Sequence, residues 1–339
     1  MNILITGGGT GGHLAIARSL KEAAIDAGHT CWYVGSRSGQ DQFWFEDDDE
    51  FKKRYFLDTT GVVNKRGIGK IMALWHVFTA IFTVIGIIRN EKIDAVISVG
   101  GFSAAPASFG AKLAGISFYI HEQNAVEGRL NRLLKPYAKA FFSSYDKNSP
   151  LKDYPVSEIF FKNARVRKEI KCVIFLGGSQ GAKFINDLAM ELAPILIGKG
   201  IKVIHQCGEN DIQRVQKVYY DQGIDVELYG FTSDMALLLQ RSDLAIARAG
   251  ASTLWELCAT GLPAFYVPYP YAAGDHQYHN AEFLRERDLA WCERQSITMS
   301  RSIMAVLNED LEAKSRGIQK LISADGAKKI IEYIQEQKC

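Results

Sequence analysis

Residues 2–20, NILITGGGTGGHLAIARSL, and residues 172–189, CVIFLGGSQGAKFINDLA, share one grammar: an apolar run of strand length, a glycine-rich turn, then an amphipathic helical stretch. Gly7 and Gly177 stand half a chain length apart, far beyond the roughly 20–50-residue period of a solenoid. The pair reads as two Rossmann-like domains. Each presents a glycine loop at the carboxyl end of its first strand, where open α/β sheets bind ligands.

The rest of the chain fits this reading. Short apolar runs at 2–6, 31–35, 94–100, 117–121 and 139–143 predict strands in the first half. Runs at 172–176, 202–206, 226–229, 244–247 and 264–267 do so in the second. Helical stretches such as 14–27, 184–197 and 253–260 lie between them, as expected of parallel sheets covered on both faces. At roughly 150 residues per domain, 339 residues make two domains. The polar stretch 154–168, near Pro150 and Pro155, divides 1–156 from 157–339.

With 47% apolar and 23% charged residues, the chain is neither disordered nor collagen-like. Its six cysteines are scattered without CxxC or histidine spacing. That excludes a zinc finger, speaks against a disulfide framework, and points to a reducing cytosolic setting. Met1 leads directly into the first apolar run, so no signal peptide is expected.

The net charge of +2 argues against a nucleic-acid partner only as an average. Residues 41–50 hold six acids and no base, whereas residues 51–140 hold thirteen bases and five acids, a net +8. Such a window suits an anionic partner, membrane or phosphate, or else is a solvated face. Inside it, residues 71–88 (IMALWHVFTAIFTVIGII) carry no formal charge. This segment has three readings: a buried crossover helix, a helix with one face toward lipid, or a membrane span. Its place between two strands of one domain opposes a span. The flanking Lys65, Arg66, Lys70, Arg89 and Lys92 favour lipid contact, with Ile71, Leu74, Trp75, Phe78, Phe82 and Lys70 as the candidate contacts.

Four stretches carry chemistry. In GGGTGGH (7–13), Gly7, Gly9 and Gly12 satisfy the dinucleotide pattern G-x-G-x-x-G. The second strand ends in YVGSRSG (33–39), however, without the acid that holds the NAD ribose; Arg37 leaves NADP open. His13, at a helix start, is a candidate general base or a structural histidine. In GGSQGA (177–182) no Lys-Ser/Thr follows, which excludes a phosphate-loop ATPase. Amides at a helix start plus the Ser179 hydroxyl suit a diphosphate without a metal clamp. In RAGASTLWELCATGLP (248–263), Thr253 and Glu256 form a capping-box pattern, or Glu256 accepts a ribose diol. HEQNA (121–125) and YPYAAGDHQYHNAEF (269–283), with Gln277 and Asn280 one turn apart, offer amides suited to sugar hydroxyls. Asp47-x-Asp49, the pattern used for metal-bound nucleotide sugars, sits in a continuous acid block and reads as a solvated loop.

In order along the chain, GGTGGH (8–13), SVGGFSAAP (98–106), HEQNA, GGSQGA, RAGASTLWEL and HQYHNA resemble the MurG family of peptidoglycan N-acetylglucosaminyltransferases. The resemblance implies an α/β chain of GT-B fold, two Rossmann-like domains whose parallel sheets face a cleft. The N-terminal domain is then the acceptor and membrane-associating one. The C-terminal domain binds UDP-GlcNAc, its last helix crossing back. The resemblance further implies inverting, metal-independent transfer of GlcNAc from UDP-GlcNAc to the C4 hydroxyl of MurNAc in lipid I, giving lipid II. No cofactor, no metal and no nucleic acid is expected. The implied location is peripheral, at the cytoplasmic face of the inner membrane on anionic lipid.

Position by position, Thr10, Gly11, Gly12 and Asn124 match donor contacts, and Ser179 a diphosphate contact. Ala251, Ser252, Thr253, Leu254, Trp255 and Glu256 match the nucleoside-gripping segment, with Glu256 on the ribose. Thr232 matches a backbone contact to uracil, Gln277 a reader of sugar hydroxyls, and His13 the preferred base, with Glu122 second. One departure stands out. Where the family has Pro-Val-Arg, this chain has Pro155-Val156-Ser157. Either Arg165 or Arg167 substitutes, or the contact is missing. The competing classes are an NADP-dependent oxidoreductase, which leaves the second glycine loop unexplained, and a membrane-associated nucleotide-sugar binder without activity.

Overall fold

The computed structural model describes residues 1–61, 66–178 and 182–337. The chain divides into two compact units, Met1–Val156 with Asp325–Cys339, and Ser157–Ala324.

Unit 1 carries six parallel strands: β1 (Asn2–Thr6), β2 (Thr30–Ser36), β3 (Lys53–Leu57), β4 (Ala95–Ser98), β5 (Ser117–His121) and β6 (Ala140–Phe142). Their order in the sheet is β3-β2-β1-β4-β5-β6. Unit 2 repeats the plan with β7 (Cys172–Leu176), β8 (Lys202–Gln206), β9 (Glu227–Tyr229), β10 (Leu244–Ala247), β11 (Ala264–Tyr266) and β12 (Trp291–Cys292). Its order, β12-β11-β10-β7-β8-β9, is the same topology. Both are the doubly wound 3-2-1-4-5-6 arrangement, in which the first strand is central and the chain reverses direction across it. Ile3, Leu4 and Ile5 in β1, like Val173, Ile174 and Phe175 in β7, are wholly buried because helices cover both faces of the sheet.

The ten expected strands are present. The two extra ones, β3 and β12, are sheet edges. β3 begins with Lys53-Arg54, and β12 is two residues long, so neither shows the apolar run that buried central strands require.

The C-terminal helix Gly326–Glu336 packs on the helix Gly11–Asp26 within unit 1, burying Ala327, Ile330, Ile331 and Ile334. Tyr333 meets Phe142 edge-on at 5.5 Å, and Lys329 lies 3.2 Å from Asp153.

The helix Ile68–Asn90 crosses from β3 to β4 and is not fully buried. A seam of Ala73, Ala80, Val84, Ile87 and Ile88 faces the unit. It lies against the helix Ala105–Ala114, where a Cβ on Gly110 would stand 3.2 Å from a Val84 methyl. On the other face Ile71, Leu74, Trp75, Phe78 and Phe82 are all more than half exposed, and Lys70 is exposed beside them.

The acid block is more than a solvated loop. Lys21 is buried, and its ammonium pairs with Asp48 at 2.7 Å and Glu50 at 2.5 Å. Arg54 takes Asp49 at 3.2 Å. These carboxylates hold an otherwise costly buried charge.

At the start of unit 2, Arg167 is completely buried, and among the described residues no carboxylate stands within ion-pair distance of it. Its guanidinium donates to the carbonyls of Leu239 at 2.8 Å, Ser242 at 3.2 Å, Arg165 at 2.6 Å and, more closely, Thr260. Leu239 and Thr260 lie in the last turns of the helices Met235–Arg241 and Ala251–Thr260, so one cation satisfies the carbonyl ends of two helices. Arg165 donates to the Gln240 and Ser242 carbonyls and to Asp243 at 2.7 Å. Both arginines are therefore held by hydrogen bonds inside unit 2, Arg167 with no exposed surface. Replacing Arg167 by Met should destabilise unit 2 by about 3–5 kcal/mol, because several buried carbonyls lose their donor. Lys should recover only part, since one ammonium cannot span carbonyls arranged for a planar fork. Denaturant unfolding measures this, and a loss under about 1 kcal/mol contradicts the capping role.

Candidate active site

In unit 1 the chain leaves β1 at Gly7 and enters the helix Gly11–Asp26 after Thr10. The loop after β4 lies directly against this turn. A Cβ on Gly101 would stand 2.1 Å from the Gly8 carbonyl oxygen, and one on Gly7 would stand 2.4 Å from that of Gly100. The Gly8 amide donates to Gly100 at 3.1 Å. Several glycines of both motifs thus serve backbone-to-backbone packing.

Beneath the turn lies Asp41, fully buried. Its carboxylate accepts the Gly9 amide at 2.6 Å, the Ser36 amide at 3.2 Å and the Tyr33 hydroxyl at 3.0 Å. A carboxylate on the Gly9 amide occupies a donor that a pyrophosphate needs, and its charge repels one. The dinucleotide pattern at Gly7, Gly9 and Gly12 is therefore formal only. Arg37 lies 3.6 Å from Asp58 on the surface. Sequence reasoning counted Asp41 merely as one of six acids; its place at the first turn of a short helix after the second strand was the available signal.

Thr10 occupies the N-cap position, yet its hydroxyl does not cap the helix; it bonds His13 Nδ1 at 2.9 Å. The Gln123 side-chain amide lies 2.9 Å from His13 Nε2. The same amide nitrogen lies 3.3 Å from Nδ1, so both ring nitrogens have polar neighbours. Glu122 is buried, and its carboxylate accepts the Asn124 amide at 3.0 Å, the Gly128 amide at 2.8 Å and Asn131 Nδ2 at 2.9 Å. Burial raises its pKa against those three donors. Glu122 thus fixes the turn that carries Gln123 and the half-buried Asn124. His121, at the end of β5, is wholly enclosed; burial and then the neighbouring His13 push its imidazole down to about 3, so it stays neutral.

In unit 2 the second glycine turn follows β7. The Gly177 amide donates to the Gln206 carbonyl at 2.9 Å, and Ala182 is the N-cap of the helix Lys183–Gly198, which has no side-chain cap. Ser179 lies outside the described residues. The helix Ala251–Thr260 also starts without a side-chain cap, at Gly250. Thr253 and Glu256 therefore lie inside the helix, and the capping box does not form. Ala251, Leu254 and Trp255 are buried, so Leu254 and Trp255 give their side chains to the core. Ser252, Thr253 and Glu256 are half-buried. Among the described residues no side chain or amide is hydrogen-bonded to the Glu256 carboxylate, and burial pushes it up to about 7.

Thr232 accepts the Asp234 amide at 3.0 Å in the loop after β9. Gln277 Oε1 accepts the Tyr269 amide at 2.9 Å, which fixes its side chain on the loop after β11. Asn280 is not a partner to Gln277 for sugar: it is fully buried and donates to the Ala249 carbonyl at 3.2 Å. Arg248 is a further residue that sequence reasoning passed over. It donates to the Val267 carbonyl at 3.0 Å, and its guanidinium stands 5.7 Å from the ring of Phe184, in the first turn of the glycine-loop helix.

Two Rossmann-type units, each with polar loops and uncapped helix starts at the carboxyl edge of its sheet, make the layout of a GT-B glycosyltransferase. Residues 3–143 match the glycosyltransferase family 28 N-terminal domain, and residues 172–334 match the family's C-terminal domain. The UDP-N-acetylglucosamine–N-acetylmuramyl-(pentapeptide) pyrophosphoryl-undecaprenol N-acetylglucosamine transferase of Sulfurimonas denitrificans is 54% identical over 331 residues, 98% of this chain and 97% of its own. The enzyme of the same name from Sulfurovum sp. is 52% identical over 335 residues, 99% and 98% of the two chains. The crystal structure of Acinetobacter baumannii MurG superposes with a TM-score of 0.79 at 26% identity, covering 99% of both chains. The chain belongs to glycosyltransferase family 28, in its MurG group.

The isolated Glu256 carboxyl has a consequence for stability. A carboxyl raised from 4.5 to about 7 by folding contributes stability that is complete below the lower value and is lost as pH climbs through the upper one. Glu256→Gln should therefore raise the thermal midpoint increasingly between pH 5 and about 8. An offset that does not change with pH contradicts the burial of an unpaired carboxyl.

Proposed function

We propose that the chain transfers N-acetylglucosamine from UDP-GlcNAc to the C4 hydroxyl of MurNAc in a polyprenyl-pyrophosphate-linked muropeptide (lipid I), forming lipid II for the cell wall. The full-length relatives that carry this activity in their names support it. The observation that carries it in the molecule is the second glycine turn, leading into a helix start without a side-chain cap, in the same unit as a glutamate whose carboxylate has no hydrogen-bond partner among the described residues.

Unit 2 holds the donor. The amides at the start of the helix Lys183–Gly198 and its dipole take the diphosphate. Glu256 accepts the ribose hydroxyls, the main chain at Thr232 meets uracil, and Gln277 meets the sugar. The segment Ala251–Glu256 contributes its backbone and the side chains of Ser252 and Thr253. Thr10, Gly11, Gly12 and Asn124 of unit 1 are assigned to the donor by their motifs, and Ser179 to the diphosphate by its own.

The reaction is one inverting displacement. The acceptor oxygen attacks the anomeric carbon as the bond from that carbon to UDP breaks. The hydroxyl proton passes to His13 Nε2, which the acceptor reaches by displacing the Gln123 amide. His13 serves better than Glu122, whose oxygens already hold three donors. Developing charge on UDP is met by helix-start amides, without a metal. Asp49 of the Asp-x-Asp pattern pairs with Arg54.

The protein works as a peripheral enzyme at the cytoplasmic face of the inner membrane. The exposed apolar face of the helix Ile68–Asn90, flanked by bases, combines the two terms of reversible binding to anionic lipid.

Turnover of a lipid I analogue with UDP-GlcNAc tests the activity. His13→Ala should lower kcat by about 100-fold or more, with UDP affinity nearly unchanged; near-normal turnover rules His13 out as the base. Replacing Trp75, Phe78 and Phe82 together by Ser should sharply reduce co-sedimentation with anionic vesicles while UDP binding persists. Undiminished sedimentation rules out this face as the membrane contact.

A further inference from the structure

Gln206, the last residue of β8, is 3% exposed and sits between two loops at the carboxyl edge of the unit 2 sheet. Its main-chain carbonyl accepts the Gly177 amide at 2.9 Å. Its side-chain nitrogen donates at 3.2 Å to the Gly178 carbonyl in the glycine turn. The same nitrogen donates at 2.9 Å to the Gly230 carbonyl, two residues before Thr232. An amide flip would set an oxygen against two carbonyls, so the donor orientation is fixed by its partners.

Among the described residues, the Gln206 side chain hydrogen-bonds both loops. One follows β7 and the other follows β9, strands that lie on opposite sides of β8. A nucleoside diphosphate spans them, because its base and its phosphates are held by different loops. Ordering two independent loops on binding carries an entropic penalty that a preformed bridge removes.

We infer that Gln206 is a positioning residue for the donor: it fixes the diphosphate-binding glycine turn to the base-binding loop through two hydrogen bonds from one amide. This rests on the donor site proposed for unit 2. Gln206 touches neither the reacting atoms nor the acceptor, so its effect falls on donor binding rather than on the chemical step.

Three full-length variants test the assignment by UDP titration calorimetry and steady-state kinetics. Gln206→Glu keeps the shape but replaces the donating nitrogen by an acceptor, and at pH 8 it should weaken UDP binding at least tenfold. Gln206→Met, which removes both bonds but retains bulk, should weaken it less. Gln206→Asn, one methylene shorter, should reach one carbonyl and fall between Met and the wild type. In all three, kcat at saturating donor should stay within about threefold while the donor KM rises. Amide exchange at residues 178 and 230 should quicken in the unliganded Met variant and slow again with UDP. If Glu binds UDP as well as the wild type, Gln206 acts only by filling space and the inference is overturned. Equal losses in kcat and acceptor KM overturn it too, since they mark a general loss of structure. Wild-type protein that does not bind UDP overturns the donor-site reading itself, an outcome distinct from either.

Discussion

Both units depend on one topological constraint: the first strand lies at the centre of its sheet. The chain must leave β1 and β7 from the middle of a buried layer and reach a covering helix within a few residues. In unit 1 that turn leaves no room for side chains at Gly7 and Gly8. In unit 1 the Gly8 carbonyl occupies the space where a Cβ on Gly101 would be, and the Gly9 amide is held by the buried Asp41 carboxylate. The same constraint gathers every loop that follows a strand at one edge, where backbone amides and helix starts favour an anion. The donor chemistry proposed for unit 2 and the acid–base chemistry proposed for unit 1 are both assigned to that edge.

The two halves use the plan differently. Unit 1 neutralises its turn from beneath, with Asp41 taking the Gly9 amide, and places Thr10, His13 and Gln123 in one hydrogen-bonded run. Unit 2 has no carboxylate under its turn among the described residues. It instead joins neighbouring loops through Gln206 and Arg248. A glycine pattern is thus compatible with an anion site in one case and with tight packing in the other. The residue below the turn decides between them.

Much of this was legible in the sequence. Buried central strands must be apolar throughout, so all eight of them announced themselves along with the edges β6 and β9, and the repeated strand–glycine–helix pattern pointed to the fold. Edge strands obey weaker rules, which hid β3 and β12. Long-range pairings left no local mark: Lys21 with Asp48, Asp41 with Gly9, and Arg167 with two helix ends are separated by many residues. Thr253 and Glu256 show the opposite problem. Their spacing matched a capping box, but the helix begins three residues before Thr253 at Gly250. A local pattern therefore competed with the true start and misled. The uncharged stretch in the basic window was ambiguous for a similar reason, since periodicity alone does not separate a core helix from one with an apolar outer face.

The central claim is that the two glycine turns serve a sugar nucleotide and its acceptor rather than a dinucleotide. Thermal-shift titration of the full chain with UDP-GlcNAc, UDP and NADPH, each with and without magnesium, tests it most directly. The account predicts stabilisation by UDP and UDP-GlcNAc, equal with and without magnesium, and none by NADPH. Stabilisation by NADPH alone would contradict it.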